Sequence, residues 1–274
     1  MNIQHTKHPV RAAAILLGLA LALTGPASLA AEGAASGDGD AWEFEITPYL
    51  LAAGLDGRAG LRGVSTDIDM SSSEVLDNLD SAFMALFTAR KGRWSYGLES
   101  VYFKMSDEGS RSVSGPFGKV TVDGALELTT SMNVYQGSIG YRVSDQSTLV
   151  DLIGAVRYTQ VDVDMSVELS TVPGIVFPPN SSLDADGSES WTDVVIGVRV
   201  LHPVSDNVSL LGYADVGAGD SDQTYQLIAG VNWEFAKDLT AKAGYRIIDW
   251  DYENDGTVWD MQASGGYLGL GFKF

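Results

Sequence analysis

The chain has 274 residues, of which 45% are hydrophobic and 19% charged, with a net charge of −19 at pH 7 and no cysteine. Without cysteine there is neither a disulfide framework nor a thiolate site. The acidic balance argues against nucleic acid and anionic lipid surfaces as partners. A mean hydropathy of +0.04 is that of a mixed polar and apolar chain.

The N-terminus has the pattern of a secretory signal peptide. Lys7 and Arg11 precede an apolar run over residues 12–23, which small residues follow. The run is too short for a spanning helix, which needs about 20 residues. We therefore predict a cleaved signal peptide over 1–30, with cleavage after Ala30 or, as a close alternative, after Ala31. The mature chain then holds 15 Lys and Arg against 36 Asp and Glu, a net charge of −21.

After a polar and flexible N-terminal segment over 31–41, one domain is predicted over 42–274. Apolar residues recur at every second position, as in a strand that buries one face. The pattern predicts an all-β, antiparallel, up-and-down transmembrane barrel of about ten strands, with eight to twelve allowed. The predicted strands span 42–54, 81–90, 92–105, 128–143, 147–166, 190–202, 207–217, 223–236, 239–250 and 265–274.

Two features interrupt the first part of this domain. Pro48 lacks a backbone N–H, so irregular pairing is expected there. Between residues 54 and 80, the stretch 64–70 could form an extra strand, and Ser71 with Glu74 has the pattern of a helix capping box. The short helix after it is either a plug in the barrel mouth or a simple loop helix.

Short and long connectors alternate along the domain. Tight turns are predicted at 90–93, 144–147, 203–207 and 236–238, as on the periplasmic side of bacterial barrels. The longer acidic, Gly- and Ser-rich segments are predicted outside the cell. These segments span 107–118, 170–190 and 249–260.

The C-terminus ends on Phe274 after an alternating strand, which resembles the assembly signal of outer-membrane barrels. We therefore expect the barrel-assembly machinery as a partner through Phe274, and outer-membrane lipid and lipopolysaccharide around the barrel. Aromatic residues near strand ends predict interfacial belts. These residues are Trp94, Tyr96, Tyr141, Trp233, Phe235, Phe272 and Phe274.

From Trp42 to Phe274 the chain resembles a largely uncharacterised family of porin-like, Gram-negative outer-membrane β-barrel proteins. The resemblance rests on WEFEITPYLLAAGLDG, EVLDNLDSAFM, ARKGRW, LLGYADVGAG, AGYRIIDWDYEND and YLGLGFKF. It implies a barrel fold and a location in the outer membrane. It implies neither a catalytic residue nor a substrate.

The alternation also places charges of both signs on the inner faces of the strands, where they either line a polar channel or pair into a sealed core. Both interpretations stay open at this level. The predicted lumen-facing charges are Arg90, Glu99, Arg142, Asp151, Arg157, Asp193, Arg199, Asp215, Glu234, Lys242 and Arg246.

Enzymatic activity is disfavoured, because only His202 remains in the mature chain and it lies at a predicted periplasmic turn. No catalytic, cofactor or dedicated metal site is predicted. The acidic stretch 249–256 echoes a calcium loop, but Gln262 stands where the template needs glutamate. A solvated acidic face with loosely held divalent cations is the preferred interpretation.

The apolar loop 172–179 could be a lid, although packing against neighbouring loops is favoured. The function predicted is a narrow passive channel for small solutes. The alternative is a non-conducting structural or surface-binding barrel with acidic extracellular loops.

Overall fold

The computed structural model describes residues 41–61, 64–114, 121–171, 182–254 and 256–274. The predicted signal peptide, residues 31–40 and the apolar loop 172–179 lie outside these ranges. Nearly all described residues lie in strands. The elements are β1 (Trp42–Leu61), β2 (Val64–Met70), α1 (Ser72–Asp77), β3 (Leu79–Lys91), β4 (Trp94–Ser114), β5 (Thr121–Asp145), β6 (Leu149–Thr171), β7 (Ser182–Ser205), β8 (Val208–Gly219), β9 (Gln223–Ala236), β10 (Leu239–Asn254) and β11 (Thr257–Lys273).

Ten strands close into an antiparallel barrel. From β3 to β11 each strand pairs with the next in sequence, β1 pairs with β3, and β11 pairs back with β1. The predicted fold class and the count of ten barrel strands are confirmed. The eleventh strand, β2, pairs with β1, and it is the extra strand suggested for 64–70. In the described residues no helix is long and apolar enough to cross a bilayer.

The outer surface of the barrel is apolar, and the interior is largely polar in the half nearer the short turns. This is the reverse of a soluble barrel. Leu152, Val194 and Leu268 expose 54%, 65% and 69% of their surfaces on the outer wall. In contrast, Arg157 and Asp193 are fully buried inside it. Such an extended apolar surface is stable against lipid and not against water. The wall is therefore the lipid-facing surface of a membrane barrel.

Outward aromatic residues gather at the end of the barrel that carries the short turns, which we call the short-turn end. Phe44 stacks on Trp42 and Phe274, with ring centroids 5.8 Å apart in each pair. Trp94 and Tyr141 meet edge to face at 4.9 Å. Rings of this kind belong at the level of lipid headgroups, so the predicted belt is present at this end.

Four tight turns define the short-turn end. The turn between β3 and β4 has Gly92 at φ 56°, and the turn between β9 and β10 has Asp238 at φ 65°. Both are left-handed conformations that glycine and, to a lesser degree, aspartate adopt. The turns lie at or within one residue of the predicted connectors. In outer-membrane barrels the end with short turns is periplasmic.

β1 changes partner at Pro48. Its pairing with β3 ends with Pro48 opposite Ala85, and it pairs with β2 from Leu55 to Leu61. Because proline has no N–H to donate, the ladder stops where the prediction expected irregular pairing. Gly54 lies against the backbone of Met70 in this region, where an added Cβ would be 2.8 Å from the Met70 oxygen.

Helix α1 follows β2 and is a surface helix. The capping box is present: Ser71 accepts from the Glu74 backbone, and the Glu74 carboxylate accepts from the Ser71 N–H at 2.8 Å. No residue of α1 is buried, and Leu76 is 47% exposed. Val75 alone of this helix packs against the apolar core of the barrel. The helix is therefore largely exposed, as a loop helix is, and Val75 makes its contact with the barrel interior.

Replacing Glu74 by glutamine is expected to loosen α1 in a pH-dependent way. Hydrogen bonds from the Ser71 side chain and then from its backbone lower the pKa of Glu74. A carboxylate whose pKa is lower in the folded state stabilises the folded helix at pH values above its unfolded-state pKa. This stabilisation is lost as the pH falls through the folded-state pKa. Hydrogen exchange over 72–78 should therefore be faster in Glu74→Gln than in the wild type at pH 7. At pH 3 the difference should shrink, and an equal difference at both pH values would contradict this role of the carboxylate.

Strands β4 to β7 are much longer than a membrane requires. They have 21, 25, 23 and 24 residues, whereas β8 and β9 have 12 and 14. A tilted strand crosses the hydrocarbon core in about 9–11 residues. The four strands therefore form a wall that continues far above the opposite side of the barrel. We call this the β4–β7 wall.

The outer loops predicted from the sequence therefore include residues that the structure places in strands. Of the described residues in these segments, 107–114 belong to β4, 170–171 to β6 and 182–190 to β7. Residues 249–254 end β10 and 257–260 begin β11, with Gly256 in a turn between them. Polar and glycine-rich residues have weak strand propensity, so the sequence pattern ends early. In the barrel a neighbouring strand offers an unbroken hydrogen-bond ladder, which extends the pairing beyond that pattern.

Candidate functional site: the barrel interior

Inward side chains fill the lumen in two chemically different layers. The order of the layers can be followed along β10, starting from the short-turn end. The inward residues are first charged, Lys242 and Arg246, and then apolar or aromatic, Ile248, Trp250 and Tyr252. The lower layer is therefore made of ion pairs and the upper layer is apolar. Because strands place alternate residues on one face, a single inward register produces both layers.

Three arginines converge on Asp151 near the short-turn end. Arg90 donates to Asp151 at 2.9 Å, Arg142 at 2.9 Å and Arg199 at 2.6 Å. The carboxylate side chain is 1% exposed, while the arginine side chains retain 16–22% exposure. These three arginines and Asp151 form what we call the Asp151 cluster. Four of the predicted lumen charges thus meet at one point.

Two further ion pairs join β10 to other parts of the wall. Arg246 donates to Glu99 on β4 at 2.8 Å and to the Tyr49 hydroxyl on β1 at 2.7 Å. The Tyr49 hydroxyl in turn donates to Glu99 at 2.6 Å. Closer to the short-turn end, Lys242 pairs with Glu45. β10 and β4 lie four positions apart around the barrel, so the Arg246–Glu99 pair crosses the lumen.

The deepest pair is Arg157 with Asp215, and both side chains are fully buried. Nη2 of Arg157 donates to both carboxylate oxygens of Asp215, at 2.8 and 3.0 Å. Its remaining donors reach Gln136 on β5 and Thr224 on β9, each at 2.8 Å. This network joins β5, β6, β8 and β9. The charge-assisted bonds satisfy an arginine that would otherwise be very costly to bury.

The two other predicted lumen charges are placed differently. Asp193 is fully buried, and among the described residues its bonds come from the Ser221 hydroxyl, at 2.8 Å, and the Ser221 backbone rather than from a cation. Glu234 lies at the short-turn rim, where it pairs with Lys273 and keeps 46% side-chain exposure. The alternation therefore predicts correctly that both residues lie on the inner face. Whether they are buried depends on their position along the strand.

The apolar upper layer was not identified from the sequence. Trp191 is 1% exposed and stacks on Tyr252, with centroids 4.4 Å apart and an interplanar angle of 11°. Met132 and Met261 are also 1% exposed. The signal that could have revealed this layer is the one used for the charges, since Trp250 and Tyr252 continue the inward register of Arg246.

His202 lies at the short-turn end, as predicted. Its Nδ1 is 2.9 Å from the Thr148 hydroxyl across the β6–β7 pairing. The ring is held by a turn residue and not by a nucleophile or a carboxylate. In the described part of the chain, no group of three or more His, Asp and Glu side chains is arranged to hold a metal ion.

Residues 249–254 of the acidic stretch lie at the end of β10 and do not form an ion-wrapping loop. Asp249, Asp251 and Glu253 alternate along β10, so they share its outer face and do not converge. Burial raises the pKa of Asp251, and so do the neighbouring carboxylates of Asp260 and Asp222. The strand geometry explains why the calcium template fails here, and it leaves an acidic face above the lipid-facing band.

Comparison with known proteins gives a likeness of overall fold alone. Outer membrane protease OmpT from Escherichia coli is similar at 10% identity and a TM-score of 0.49, over 88% of this chain and 99% of that chain. The attachment invasion locus protein Ail of Yersinia pestis has 10% identity and a TM-score of 0.35, over 86% and 99%. A major outer membrane protein from Thermus thermophilus has 13% identity and a TM-score of 0.39, over 85% and 100%.

No protein-family model matches the chain, and no curated protein does. The assignment therefore rests on the geometry: a closed barrel, an apolar outer wall, an aromatic belt at the short-turn end and a charged interior. Together these features identify the chain as an outer-membrane β-barrel protein.

Proposed function

We propose that this protein is a non-conducting outer-membrane barrel, a rigid structural scaffold that presents its β4–β7 wall and acidic outer face at the cell surface. The observation that carries the proposal is the complete burial of Arg157 and Asp215 inside the barrel. A water-filled channel would leave charged lumen side chains in contact with solvent. Here the interior at this level is occupied by protein.

The lumen is also obstructed above and below this pair. Below it, the Arg246–Glu99 pair and the Asp151 cluster reach across from different strands. Above it, Tyr252 on β10 stacks on Trp191 of β7 and donates to Glu189. A solute would have to break paired charges and stacked rings in succession. The filled interior therefore favours the structural alternative over the passive channel.

A filled barrel suits a surface role because it holds its walls rigidly. Bonds between inward side chains join β1, β3, β4, β6, β7, β8, β9 and β10. The β4–β7 wall continues from these braced strands, and so it is presented in a fixed orientation. In this proposal the lipid-facing wall contacts outer-membrane lipid and lipopolysaccharide, and Phe274, 72% exposed, engages the barrel-assembly machinery.

The test is single-channel recording of the refolded mature protein in planar bilayers. Heat-modifiable migration on gels first establishes that the inserted barrels are folded. We expect no stepwise conductance, because the buried pairs leave no continuous aqueous path. Reproducible steps of one size would contradict the proposal and favour a narrow channel. Shifted ion selectivity in Arg199→Gln would then place the Asp151 cluster in the conducting path.

A further inference from the structure

We propose that the Asp151 cluster is a binding site for a small oxyanion, a phosphate or a carboxylate, that enters from the short-turn end. The site belongs to the same barrel interior, but the inference does not depend on whether the barrel conducts. Three guanidinium groups surround a single carboxylate. The cluster therefore carries two more positive than negative charges, whereas the Arg157–Asp215 and Arg246–Glu99 pairs are each balanced.

Among the described residues, no second carboxylate pairs with the three arginines of the cluster. Glu45, the nearby inner-face carboxylate on β1, is engaged by Lys242. Glu43 lies opposite Arg90 in the strand register but forms no ion pair with it. Placing several partly desolvated cations side by side costs free energy unless an anion compensates their charge. The excess positive charge therefore points to an anionic ligand.

The hydrogen bonds of the cluster lead to the same conclusion. Each guanidinium has five N–H donors. Asp151 receives three of its close bonds on a single oxygen, Oδ2, from Arg90 and Arg199. The Arg90 Nη1 atom is buried and has no acceptor among the described residues. A bound phosphate or carboxylate offers several acceptor oxygens, and the planar arginine fork matches their geometry.

The location makes the site reachable. Arg90 is the next-to-last residue of β3, and Asp151 is the third residue of β6, so both lie beside the short turns. The three arginines keep 16–22% side-chain exposure, unlike fully buried Arg157 above them. The buried pairs close the lumen on the far side of the cluster. The partial exposure of the arginines beside the short turns makes the cluster accessible to anions from the short-turn end.

The chemistry selects oxyanions and not halides. Chloride is a point charge that gains little from paired donors, whereas phosphate and carboxylate accept bidentate bonds from arginine. A free phosphate and a carboxylate on a peptide-like molecule share this chemistry. Separate titrations with inorganic phosphate and with N-acetylalanine distinguish these two sources.

The experiment is calorimetric titration of the refolded barrel in zwitterionic micelles, with chloride used to match ionic strength. We expect saturable, one-to-one binding of phosphate, N-acetylalanine or both. Arg90→Gln should weaken it about tenfold or more, because charge-assisted donors are lost while Asp151 keeps Arg142 and Arg199. Arg90→Lys, which keeps the charge and loses the fork, should also bind more weakly. Arg93→Gln is the matched control, since Arg93 pairs with Asp145 at the exposed rim.

Asp151→Asn separates a binding site from a merely structural cluster. Removing the internal carboxylate leaves three unpaired arginines, so the variant should melt earlier than the wild type in chloride. Phosphate should then raise its melting temperature more than it raises that of the wild type, because the anion takes the place of the lost charge. The proposal is overturned if neither anion binds saturably, or if Arg90→Gln binds as tightly as the wild type.

Discussion

Replacing Arg157 by methionine is expected to lower the free energy of unfolding by about 3–5 kcal/mol. The substitution leaves Asp215 fully buried and removes the guanidinium group that neutralises it. Gln136 and Thr224 lose a shared hydrogen-bond partner at the same time. Urea titration of the barrel refolded in phospholipid vesicles, followed by tryptophan fluorescence, measures the loss.

Two variants show whether this loss comes from an unpaired buried charge. Arg93→Met breaks an ion pair whose side chains are about half exposed, so it should cost at most about 1 kcal/mol. The double variant Arg157→Met/Asp215→Leu removes both charges, and it should recover much of the lost stability. If the double variant were as unstable as Arg157→Met alone, cavity or packing defects would explain the result instead.

The strands and their faces could be predicted because they depend on local pattern. The inward residues Arg142, Asp151 and Arg199 follow from alternation along β5, β6 and β7, and the structure places all three inside. The tight turns and the capping box at Ser71 depend on residues close in sequence. Each of these features is decided within a few positions, so one sequence is sufficient to find it.

The partners of the inward charges could not be predicted, because they depend on the stagger of the closed barrel. Glu99 and Arg246 are 147 residues apart and meet across the lumen. Asp151 pairs with neighbouring strands, but it also reaches Arg90 three strands away. Closure and register determine which inward residues share a level. The alternation of residues in the sequence specifies which side chains face inward. It does not specify their height along the barrel axis.

The choice between a channel and a filled core was undecidable for the same reason. Charged residues in a lumen are compatible with either, and the proposal rests on how deeply they are buried and on what packs above them, such as the Trp191–Tyr252 stack. Trp191 on β7 and Tyr252 on β10 stack only because three strand pairings bring them to the same height. The extension of β4 to β7 was also missed, since partner strands and not intrinsic propensity hold their upper parts.

Replacing Trp191 by alanine is expected to cost about 3–5 kcal/mol of unfolding free energy, the range for a large aromatic residue lost from a core. Trp191 is 1% exposed and stacks on Tyr252, so its removal leaves a cavity in the apolar layer. Val194→Ala is the outward control, because Val194 is 65% exposed on the lipid-facing wall. Its cost should stay below about 1 kcal/mol. Urea titration in vesicles compares the two variants directly.

The same variant tests how the two layers close the barrel. Trp191→Ala opens the upper layer only, and the Arg157–Asp215 and Arg246–Glu99 pairs still occupy the lumen beneath it. We therefore expect a folded, less stable barrel that remains electrically silent in planar bilayers. Discrete conductance steps in this variant would show that the aromatic layer alone forms the seal. The ion pairs would then line a conducting path that only the aromatic layer closes in the wild type. That result would contradict the proposal that the buried ion pairs make the barrel non-conducting.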